Sequence, residues 1–391
     1  MDSSHKVPVV RINEILPHPN ADKLGLVHIG GYQVVVRLDN FKPGDLAVYI
    51  QPDSIVPVRK EFEFVYKVDG GGKEREFLEG EPVPEKYRRV TVRKFRKQFS
   101  EGLLLPISDF PELAGLQNEG GDVADTLGIT HYNPPEPGEA SNETGPSVKQ
   151  SKVLPRSLKG WLYFLSYWLT FGLYNPYGSV NGYGNESAPD NTPPVYDVET
   201  FKNYTDTFAD GEEVVVTEKI HGSNARYTFR KTLLGKDKFY CGSRKLWKSA
   251  KSKTVWRKAA ELNPDIERFC RNNPGYTLYG EVVPTQTGFP YNGTAEEPKV
   301  IFFDILSPNR EWVNFDDAYE MTSEYTLEWV PLLYRGGFNL SEIQTLVDGK
   351  SRLNKNHIRE GVVIKSVLDR RVPGLGRAQL KIVSNAYLEK Q

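Results

Sequence analysis

Short runs of β-branched and aromatic residues, separated by turn-forming residues, dominate the first third of the chain. The β-rich runs are 7–12, 25–38, 45–50, 88–95 and 102–107. Turn sequences rich in Pro, Gly, Asn and Asp lie between them, at 18–22, 42–45, 51–54 and 69–72. This alternation is typical of short strands joined by tight turns. We therefore predict a small all-β barrel or sandwich over residues 1–130.

A change of composition follows. Residues 133–147 (NPPEPGEASNETGPS) are typical of a flexible linker. Residues 161–174 (WLYFLSYWLTFGLY) form an apolar-aromatic run, which at 14 residues is shorter than the ~18–20 that span a bilayer. A packed hairpin or helix is the favoured interpretation of this run, with a membrane-surface segment or a partner site as alternatives. We assign 131–195 to a linker and insert.

The last part of the chain, 196–391, alternates strand-like with helix-like segments and predicts an α+β domain. The predicted strands are 212–220, 224–232, 239–244, 276–283, 299–305, 360–366 and 378–384. The predicted helices are 256–273 and 314–325.

Charge and cysteine content exclude several classes of protein. The 391 residues carry a net charge of −1, so any nucleic-acid binding must use local basic patches. The two cysteines, Cys241 and Cys270, form no CxxC pair, which argues against a zinc ribbon or a disulfide scaffold. The N-terminus lacks the apolar core of a signal peptide. We expect an intracellular protein that does not bind membranes, with monomer as the expected state.

The segment 217–224 (TEKIHGSN) is the sharpest local feature of the chain. It places Lys219 at the end of a β-branched run, where burial and neighbouring cations can lower the pKa of an amine and make it nucleophilic. Gly222 would let the backbone approach a ligand closely. A lysine three residues before a glycine is common by chance, and Lys67 with Gly70 is a second case. Taken alone, Lys219 could be a surface lysine at a strand end.

Further segments after Lys219 change this interpretation. In chain order, the series reads 219–222 (KIHG), 243–244 (SR), 278–281 (LYGE), 302–305 (FFDI), 360–365 (EGVVIK) and 380–381 (LK). Their order and spacing resemble motifs I, Ia, III, IIIa, IV and V of the covalent nucleotidyltransferases, which are the ATP-dependent ligases and capping enzymes.

Details favour the RNA ligases within this superfamily. DNA ligases and capping enzymes usually carry Asp before the motif I glycine, whereas His221 stands here, as in the RNA ligase 2-like group. Only ten residues follow Lys381, so we expect no C-terminal OB domain. Segments 43–50, 53–57 and 100–106 resemble the N-terminal OB domain of the Deinococcus-type and Naegleria-type RNA ligases. The resemblance implies an N-terminal OB-like β-barrel followed by a ligase-type α+β nucleotidyltransferase domain.

The resemblance also implies residue roles. Catalytic roles fall on Lys219, His221, Asn224 and Lys381. Contacts with ATP, retained as covalent AMP, fall on Glu218, Lys219, Arg244, Glu281, Phe303, Lys365 and Lys381. In this scheme Glu281 contacts the ribose hydroxyls and Phe303 stacks on the base. Glu360, supported by Asp304, is the candidate for binding Mg²⁺ or Mn²⁺.

Each of these residues also has a purely structural interpretation. Phe303 could be core, Glu281 a solvent-facing strand residue, His221 a turn residue, and Glu360 a helix cap or an ion-pair partner. One position departs from the resemblance: the family often has two lysines in motif V, and the first is Gln379 here. Arg377 could replace the missing lysine in part.

Two basic segments are candidates for RNA binding. Residues 86–97 carry seven basic side chains interleaved with aromatic rings, and no acid. The predicted contacts from this segment are Arg89, Arg93, Lys94, Arg96 and Lys97. The alternative is a solvated edge strand protected by charge. In the second segment, 244–258, Lys248 is the predicted contact, and the alternative is a surface helix with Trp247 and Trp256 in the core.

These observations predict an ATP-dependent RNA ligase that joins 3′-hydroxyl and 5′-phosphate ends, in nick sealing or RNA repair. The RNA ends could lie in an RNA duplex or an RNA/DNA duplex. One alternative is a DNA ligase or a capping-type nucleotidyltransferase. Another is a nucleic-acid-binding protein without catalytic activity, against which the intact lysines and glutamates argue.

Overall fold

The computed structural model describes residues 6–68, 73–75, 77, 82–115, 118–132, 185–231, 237–284 and 289–389. The aromatic run 161–174, and with it nearly all of the predicted insert, lies outside the described residues. Among the described residues, every helix is too short or too polar to span a bilayer.

The described N-terminal part is built from short antiparallel strands. They are β1 (Val9–Arg11), β2 (Leu16–Pro17), β3 (Leu24–Ile29), β4 (Tyr32–Arg37), β5 (Leu46–Ile50), β6 (Ser54–Ile55), β7 (Arg93–Phe95), β8 (Gln98–Ser100), β9 (Leu103–Pro106) and β10 (Thr130–His131). Three short helices accompany them: α1 (Glu63–Tyr66), α2 (Glu85–Arg88) and α3 (Ala124–Leu127).

These strands form two three-stranded sheets, β1-β5-β9 and β2-β3-β4, and two two-stranded pairs, β6-β10 and β7-β8. Alternate residues of β4 are buried, as expected for a strand with one face on a core. Two hydrophobic clusters fill the interior, one around Val48 and Phe62 and the other around Val34 and Tyr49. The all-β prediction for this part is confirmed in its main elements.

The predicted strand 88–95 is wrong over most of its length. The structure has the helix α2 after Pro84, and a strand only from Arg93 to Phe95. Val90 and Val92 are buried nevertheless. These two apolar side chains therefore pack into the core from an irregular segment and not from a strand.

The described C-terminal part contains longer strands. They are β11 (Asn185–Glu186), β12 (Glu199–Thr200), β13 (Glu213–Lys219), β14 (Ser223–Arg230), β15 (Lys238–Gly242), β16 (Trp247–Lys248), β17 (Thr277–Val283), β18 (Lys299–Leu306), β19 (Glu328–Trp329), β20 (Leu332–Gly337), β21 (Gly361–Ser366), β22 (Arg371–Val372), β23 (Gly376–Arg377) and β24 (Gln379–Val383). The helices are α4 (Val255–Leu262), α5 (Asp265–Asn272), α6 (Phe315–Thr322), α7 (Leu340–Val347) and α8 (Asn385–Leu388).

Two mainly antiparallel sheets organise these strands. One has the order β11-β16-β15-β14-β17-β18-β19, and the other has the order β12-β24-β21-β13-β20. The chain passes from the second sheet to the first between Lys219, at the end of β13, and Ser223, at the start of β14. The segment with the candidate nucleophile is therefore the crossing between the two sheets.

The seven strands predicted for residues 196–391 are all present, with bounds shifted by at most a few residues. The predicted helix 256–273 is two helices, because Asn263 and Pro264 interrupt it. The sequence reading missed β20 and α7. β20 contains no β-branched residue, so its own sequence does not favour a strand. Its strand conformation depends on its pairing with β13.

The two parts of the chain touch through a small polar interface. Lys202 forms an ion pair with Glu101, whose side chain is 5% exposed. The Tyr32 hydroxyl donates to Asn203 Oδ1 at 3.0 Å. At a second point, Lys94 Nζ lies 3.1 Å from Glu389 Oε2.

Candidate active site

Lys219 and Glu360 form the centre of the candidate site. β13 and β21 are antiparallel neighbours, and Lys219 lies opposite Gly361. This register brings Glu360, the residue before β21, next to the lysine, and Lys219 Nζ donates a hydrogen bond to Glu360 Oε1 at 2.5 Å. Residues 141 positions apart in the sequence are thus joined by strand pairing.

The pKa of Lys219 is raised above its usual value. Burial lowers it, but the charge and hydrogen bond of Glu360 and the charge of Glu281 together outweigh the burial. Burial lowers this pKa as expected, but the expected net lowering is wrong, because carboxylates next to Lys219 raise the pKa by more. Lys219 must lose a proton before it can act as a nucleophile.

Glu281 lies on β17 opposite Asn224 on β14, on the sheet beyond the crossing. Burial raises the pKa of Glu281 to about 8, with Glu360 raising it further and Lys219 lowering it. At neutral pH its carboxyl group is largely protonated. Asn224 Oδ1 is buried and has no hydrogen-bond partner among the described residues. Glu281 is half-buried, and its predicted contact with the ribose hydroxyls stays a prediction.

Two cations complete the electrostatic environment. Lys381 lies on β24 opposite Val363, and its pKa is lowered by burial and then by the charge of Lys219. Arg244 Nη2 donates to Asp197 Oδ2 at 2.5 Å, and Arg244 Nε is buried without a hydrogen-bond partner in the described structure. The structure thus brings Lys219, Glu281, Glu360 and the two cations into one site.

His221 is held from two sides. Its backbone N–H donates to the Tyr291 hydroxyl at 3.0 Å, and its ring Nδ1 shares a hydrogen bond of 2.5 Å with the Tyr387 hydroxyl. The same Nδ1 lies 3.8 Å from Glu360 Oε2. His221 is 8% exposed, and its catalytic role stays a prediction. Sequence reasoning missed both tyrosines, because no motif spacing connects them to His221.

Gly222 serves strand packing here. A Cβ at this position would lie 2.6 Å from the Val282 carbonyl oxygen and 2.9 Å from Val283 Cγ1. The glycine therefore lets β14 start in close contact with β17. The predicted close approach to a ligand stays a prediction.

Phe303 is half-buried, and its ring centroid lies 4.6 Å from that of Tyr196. The Tyr196 hydroxyl donates to Asp304 Oδ2 and bonds Gln379 Oε1 at 2.8 Å. One side of Phe303 is thus covered by a tyrosine that the sequence analysis did not single out. The stacking role of Phe303 remains a prediction.

Asp304 and Lys365 belong to a buried ion-pair network between the sheets. Lys365 Nζ donates to Asp304 Oδ2 and to the Phe303 carbonyl, both at 2.8 Å. Arg377 also pairs with Asp304, and it pairs with Asp369. Burial raises the pKa of Asp304, but Arg377 and Lys365 outweigh it and hold the pKa below its usual value.

This network bears on two expectations. Asp304 Oδ2 accepts from Arg377, Lys365 and Tyr196, and Oδ1 accepts from Arg377 at 3.3 Å, so Asp304 serves the ion-pair network and its support of a metal site stays a prediction. Arg377 is committed to two aspartates and lies over the Trp312 ring, so it does not replace the missing motif V lysine. Lys365, 7% exposed, is likewise occupied, although its predicted ATP contact is not tested.

Glu218 is buried on the other side of β13 from Lys219. Its Oε2 accepts from the Arg352 backbone N–H at 2.8 Å, and its Oε1 is buried without a hydrogen-bond partner in the described part of the chain. The predicted contact with ATP would have to use that oxygen.

The residues present fit a divalent cation held mainly by water and phosphate. Glu360 Oε2 is buried and has no hydrogen-bond partner among the described residues. No group of three or more His, Cys, Asp or Glu side chains within the described residues could hold a metal ion. Mg²⁺ is commonly held by one or two carboxylates together with substrate phosphates and waters. Glu360 supplies one carboxylate of that kind.

The basic segment of the N-terminal part forms the hairpin β7–β8. Its turn residues Arg96 and Lys97 have φ of +47° and +76°, and both are exposed, as is Phe95. Asn20 Nδ2 donates to the Arg96 carbonyl at 3.0 Å and supports the turn. Arg93 is half-buried within β7.

Two of the predicted RNA contacts in this segment already have carboxylate partners. Arg89 pairs with Asp53 at 2.6 Å, and Lys94 pairs with Glu389 at 3.1 Å. Arg96 and Lys97, the exposed cations of the hairpin turn, are therefore the better candidates for RNA contacts in this segment.

The prediction that Lys248 contacts RNA is wrong for this structure. Lys248 is 4% exposed, and its Nζ lies 4.8 Å from the centre of the Trp256 ring. Trp247 and Trp256 are 3% and 2% exposed. Both tryptophans belong to the core, as the alternative predicts, but the surface helix it predicts is wrong for the first part of the segment, because Trp247 lies on β16 and the helix begins at Val255.

Comparisons with known proteins agree with this geometry. Residues 212–383 match the RNA ligase family model, and residues 6–107 match an OB-fold domain model. Among solved structures, a Naegleria gruberi RNA ligase mutant with AMP and Mn is 25% identical, covers 100% of this chain and 99% of that chain, and has a TM-score of 0.69. The same ligase with pyrophosphate is 25% identical, with coverage of 99% and 98% and a TM-score of 0.68. Curated protein sequences gave no match.

A further structure, a Naegleria gruberi RNA ligase mutant with ATP and Mn, is 24% identical, with coverage of 98% of each chain and a TM-score of 0.69. The predicted fold class, an OB-fold domain followed by an α+β ligase domain, is confirmed.

Proposed function

We propose that this protein is an ATP-dependent RNA ligase that joins a 3′-hydroxyl end to a 5′-phosphate end through a lysyl-AMP, which the match of residues 212–383 to the RNA ligase family model supports. The observation that carries the proposal is the cluster at the crossing between the sheets. Lys219 there bonds Glu360 and lies within the electrostatic reach of Glu281 and Lys381.

The reaction has three steps. In the first, Lys219 Nζ attacks the α-phosphorus of ATP, a P–N bond forms, and pyrophosphate leaves with the electrons of the broken P–O bond. In the second, a 5′-phosphate oxygen of the RNA attacks the same phosphorus and Lys219 leaves, taking up a proton. In the third, the 3′-hydroxyl oxygen attacks the 5′-phosphorus, its proton is lost, and AMP leaves as a phosphodiester forms.

The first step requires the loss of a proton from Lys219. Glu360 holds that proton in place through its hydrogen bond of 2.5 Å. A divalent cation bound at Glu360 would supply positive charge that stabilises the phosphate oxygens and disfavours the protonated lysine. Buried Lys381 and Arg244, whose Nε is unpartnered, are placed to bind phosphate oxygens.

Recognition of AMP rests on groups that are buried or half-buried. Glu281, largely protonated at neutral pH, can both donate to and accept from a ribose hydroxyl. Phe303 would stack on the base, and Glu218 Oε1 can accept from an amino group. Asn224 and His221, on the two sides of Gly222, are proposed to act in the sealing step.

We further propose that the RNA ends lie in a nick of an RNA or RNA/DNA duplex, positioned in part by the exposed turn of the β7–β8 hairpin. Residues 1–130 would form the OB domain and 196–391 the nucleotidyltransferase domain, with 131–195 between them. A monomer that acts inside the cell is consistent with two buried free cysteines.

The test is incubation with α-labelled ATP and Mg²⁺ or Mn²⁺, followed by denaturing electrophoresis. Wild-type protein should become labelled, and Lys219→Ala should not. Lys67→Ala is the matched control, because Lys67 also lies three residues before a glycine but is exposed and pairs with Glu63. Labelling of Lys219→Ala would contradict the proposal, and labelling by GTP in place of ATP would favour a capping enzyme. Joining of RNA but not DNA 3′-hydroxyl strands would exclude a DNA ligase.

A further inference from the structure

A basic loop lies directly before Glu360 and outside the ligase motifs. Residues 349–359 (GKSRLNKNHIR), here called the 349–359 loop, contain four lysines and arginines, one histidine and no acid. The acids that flank it, Asp348 and Glu360, are both bonded to other groups: Asp348 accepts from Ser384, and Glu360 accepts from Lys219.

The conformation of this loop is fixed by its own hydrogen bonds. Ser351, 1% exposed, accepts from the backbone N–H groups of Leu353 and Asn354 at 3.1 and 3.3 Å. Asn354 Oδ1 accepts from the Asn356 backbone N–H at 2.9 Å. Lys350 and Ile358 form an antiparallel bridge that closes the loop. A ligand would therefore meet a preformed surface, with little ordering entropy to lose.

The loop is attached to the residues around Lys219 at two points besides its junction with Glu360. The Arg352 backbone N–H donates to Glu218 Oε2 at 2.8 Å, and Glu218 is the neighbour of Lys219. Asn292 Nδ2 donates to the Leu353 carbonyl at 2.7 Å, and the preceding Tyr291 accepts from His221. The loop therefore adjoins the Glu218 side of β13 and leads directly into Glu360, the partner of Lys219.

The cations of the loop are available to a ligand. Lys350, Arg352 and Lys355 are exposed. Neither lysine has an ion-pair partner within the residues that the structure describes. Lys94 and Arg89 of the N-terminal basic segment, in contrast, are paired with carboxylates. A fixed, exposed and acid-free set of cations suits a polyanion.

We propose that the 349–359 loop binds the phosphate backbone of the RNA strand next to the ends being joined. The inference rests on the proposed ligase function and names a contact surface for its substrate. The lysines lie on the exposed side of the loop, whereas the proposed ATP contacts are buried or half-buried, so phosphates outside the nucleotide pocket are the better match.

The test is the double variant Lys350→Ala/Lys355→Ala, measured for binding to a nicked RNA duplex with a 5′-phosphate at the nick. The matched control is Lys42→Ala/Lys231→Ala, which removes two exposed lysines outside the loop. Lys231 follows the last residue of β14, whereas Lys219 lies before the first residue of that strand. The loop variant should bind the duplex roughly tenfold more weakly. The slope of its log Kd plotted against the logarithm of the salt concentration should fall by about 1.5. The control should match the wild type.

Separate measurements distinguish failure of the inference from failure of the proposed function. Labelling by α-labelled ATP should be unchanged in the loop variant. Equal duplex affinity and salt slope in the loop variant and the control would overturn the inference. An increased KM for ATP with unchanged duplex affinity would also overturn it and point to the triphosphate as the ligand. Absence of labelling in the wild type would overturn the ligase function itself.

Discussion

At the scale of single residues, the candidate site contains ionisable side chains whose charged forms are disfavoured by burial. Lys219 and Glu360 form an ion pair, and the pKa of Lys219 is raised. Glu281 is half-buried nearby without a hydrogen-bonded cation in the described structure, and desolvation raises its pKa to about 8. The chain therefore holds a carboxyl group whose ionisation opposes folding, which is common where function selects the residue.

The pKa of Glu281 predicts a pH-dependent stability difference. In the unfolded chain this carboxyl group has its usual pKa of 4.5, whereas in the folded protein its pKa is about 8. Between pH 4.5 and pH 8 the unfolded chain loses this proton while the folded protein keeps it, so the unfolded state is increasingly favoured as pH rises. Glu281 therefore lowers the free energy of unfolding by on the order of 4 kcal/mol at pH 8 and by little below pH 4.5. Glu281→Gln should therefore gain stability over the wild type as pH rises from 5 to 8.

Urea unfolding at several pH values checks this prediction. Glu328→Gln is the control, because it makes the same substitution at a side chain that is 41% exposed and lies 3.9 Å from Lys299 Nζ. A constant difference between Glu281→Gln and wild type from pH 5 to 8 would show that Glu281 is already ionised in the folded protein.

At the scale of elements, the short helix α8 links the end of the described chain to motif I. Ser384 caps the helix by accepting from the Tyr387 backbone N–H, and its hydroxyl donates to Asp348 at 2.5 Å. Tyr387 is 1% exposed and bonds the ring of His221. A helix of four residues is not stable alone, so its position is imposed by these contacts.

We predict that Tyr387 is a positioning residue for His221. Tyr387→Phe keeps the ring packing but removes the hydroxyl that bonds Nδ1, so the imidazole loses the partner that sets its orientation and tautomer. The sealing rate of a 5′-adenylylated RNA strand should fall about tenfold, which corresponds to ~1.4 kcal/mol. Its KM should change little, and the pH profile of the rate should shift.

Tyr319→Phe is the matched control for this experiment, because it removes the hydroxyl of a tyrosine on α6 that donates to the Val330 carbonyl at 3.2 Å. Equal sealing rates and pH profiles for Tyr387→Phe and the wild type would show that the hydrogen bond does not position His221.

At the scale of the whole molecule, the OB part and the ligase part meet through few contacts. The pair of Lys202 with Glu101 is the buried one, and Glu101 also accepts from the Gln33 backbone N–H at 3.1 Å. The pair of Lys94 with Glu389 is exposed, with side chains 38% and 46% accessible. Breaking a buried pair leaves a charge without compensation, whereas exposed pairs contribute ~0–1 kcal/mol.

Lys202→Met should therefore destabilise the protein by about 3 kcal/mol, because Glu101 stays buried without its cation. Lys94→Met, which breaks the exposed pair, is the matched control and should change the free energy of unfolding by less than about 1 kcal/mol. Urea unfolding measures both. Adenylylation by α-labelled ATP should persist in both variants, because neither residue contacts the Lys219 site. Equal stabilities of the two variants would contradict the prediction.

Local pattern was enough to predict much of this protein. The β-branched runs predicted β13, β14, β17, β18, β21 and β24, because buried strands need such side chains whatever their partners are. The order of the motifs indicated Lys219, Glu281, Glu360 and Lys381 as one site, and the structure brings these four together. The sequence reading could not place Lys248, because a basic residue beside tryptophans fits a nucleic-acid surface and a core equally well.

What the sequence by itself determined is therefore the set of strands, the fold class and the residue types at the reacting centre. The tertiary structure alone decided which groups compensate each other. Strand register pairs Lys219 with Glu360 and raises the lysine pKa, and the approach of the two sheets commits Asp304 to Lys365 and Arg377. The physical reason is range: side-chain periodicity is set by neighbours along the chain, whereas a pKa or an ion pair depends on distances between residues far apart in sequence.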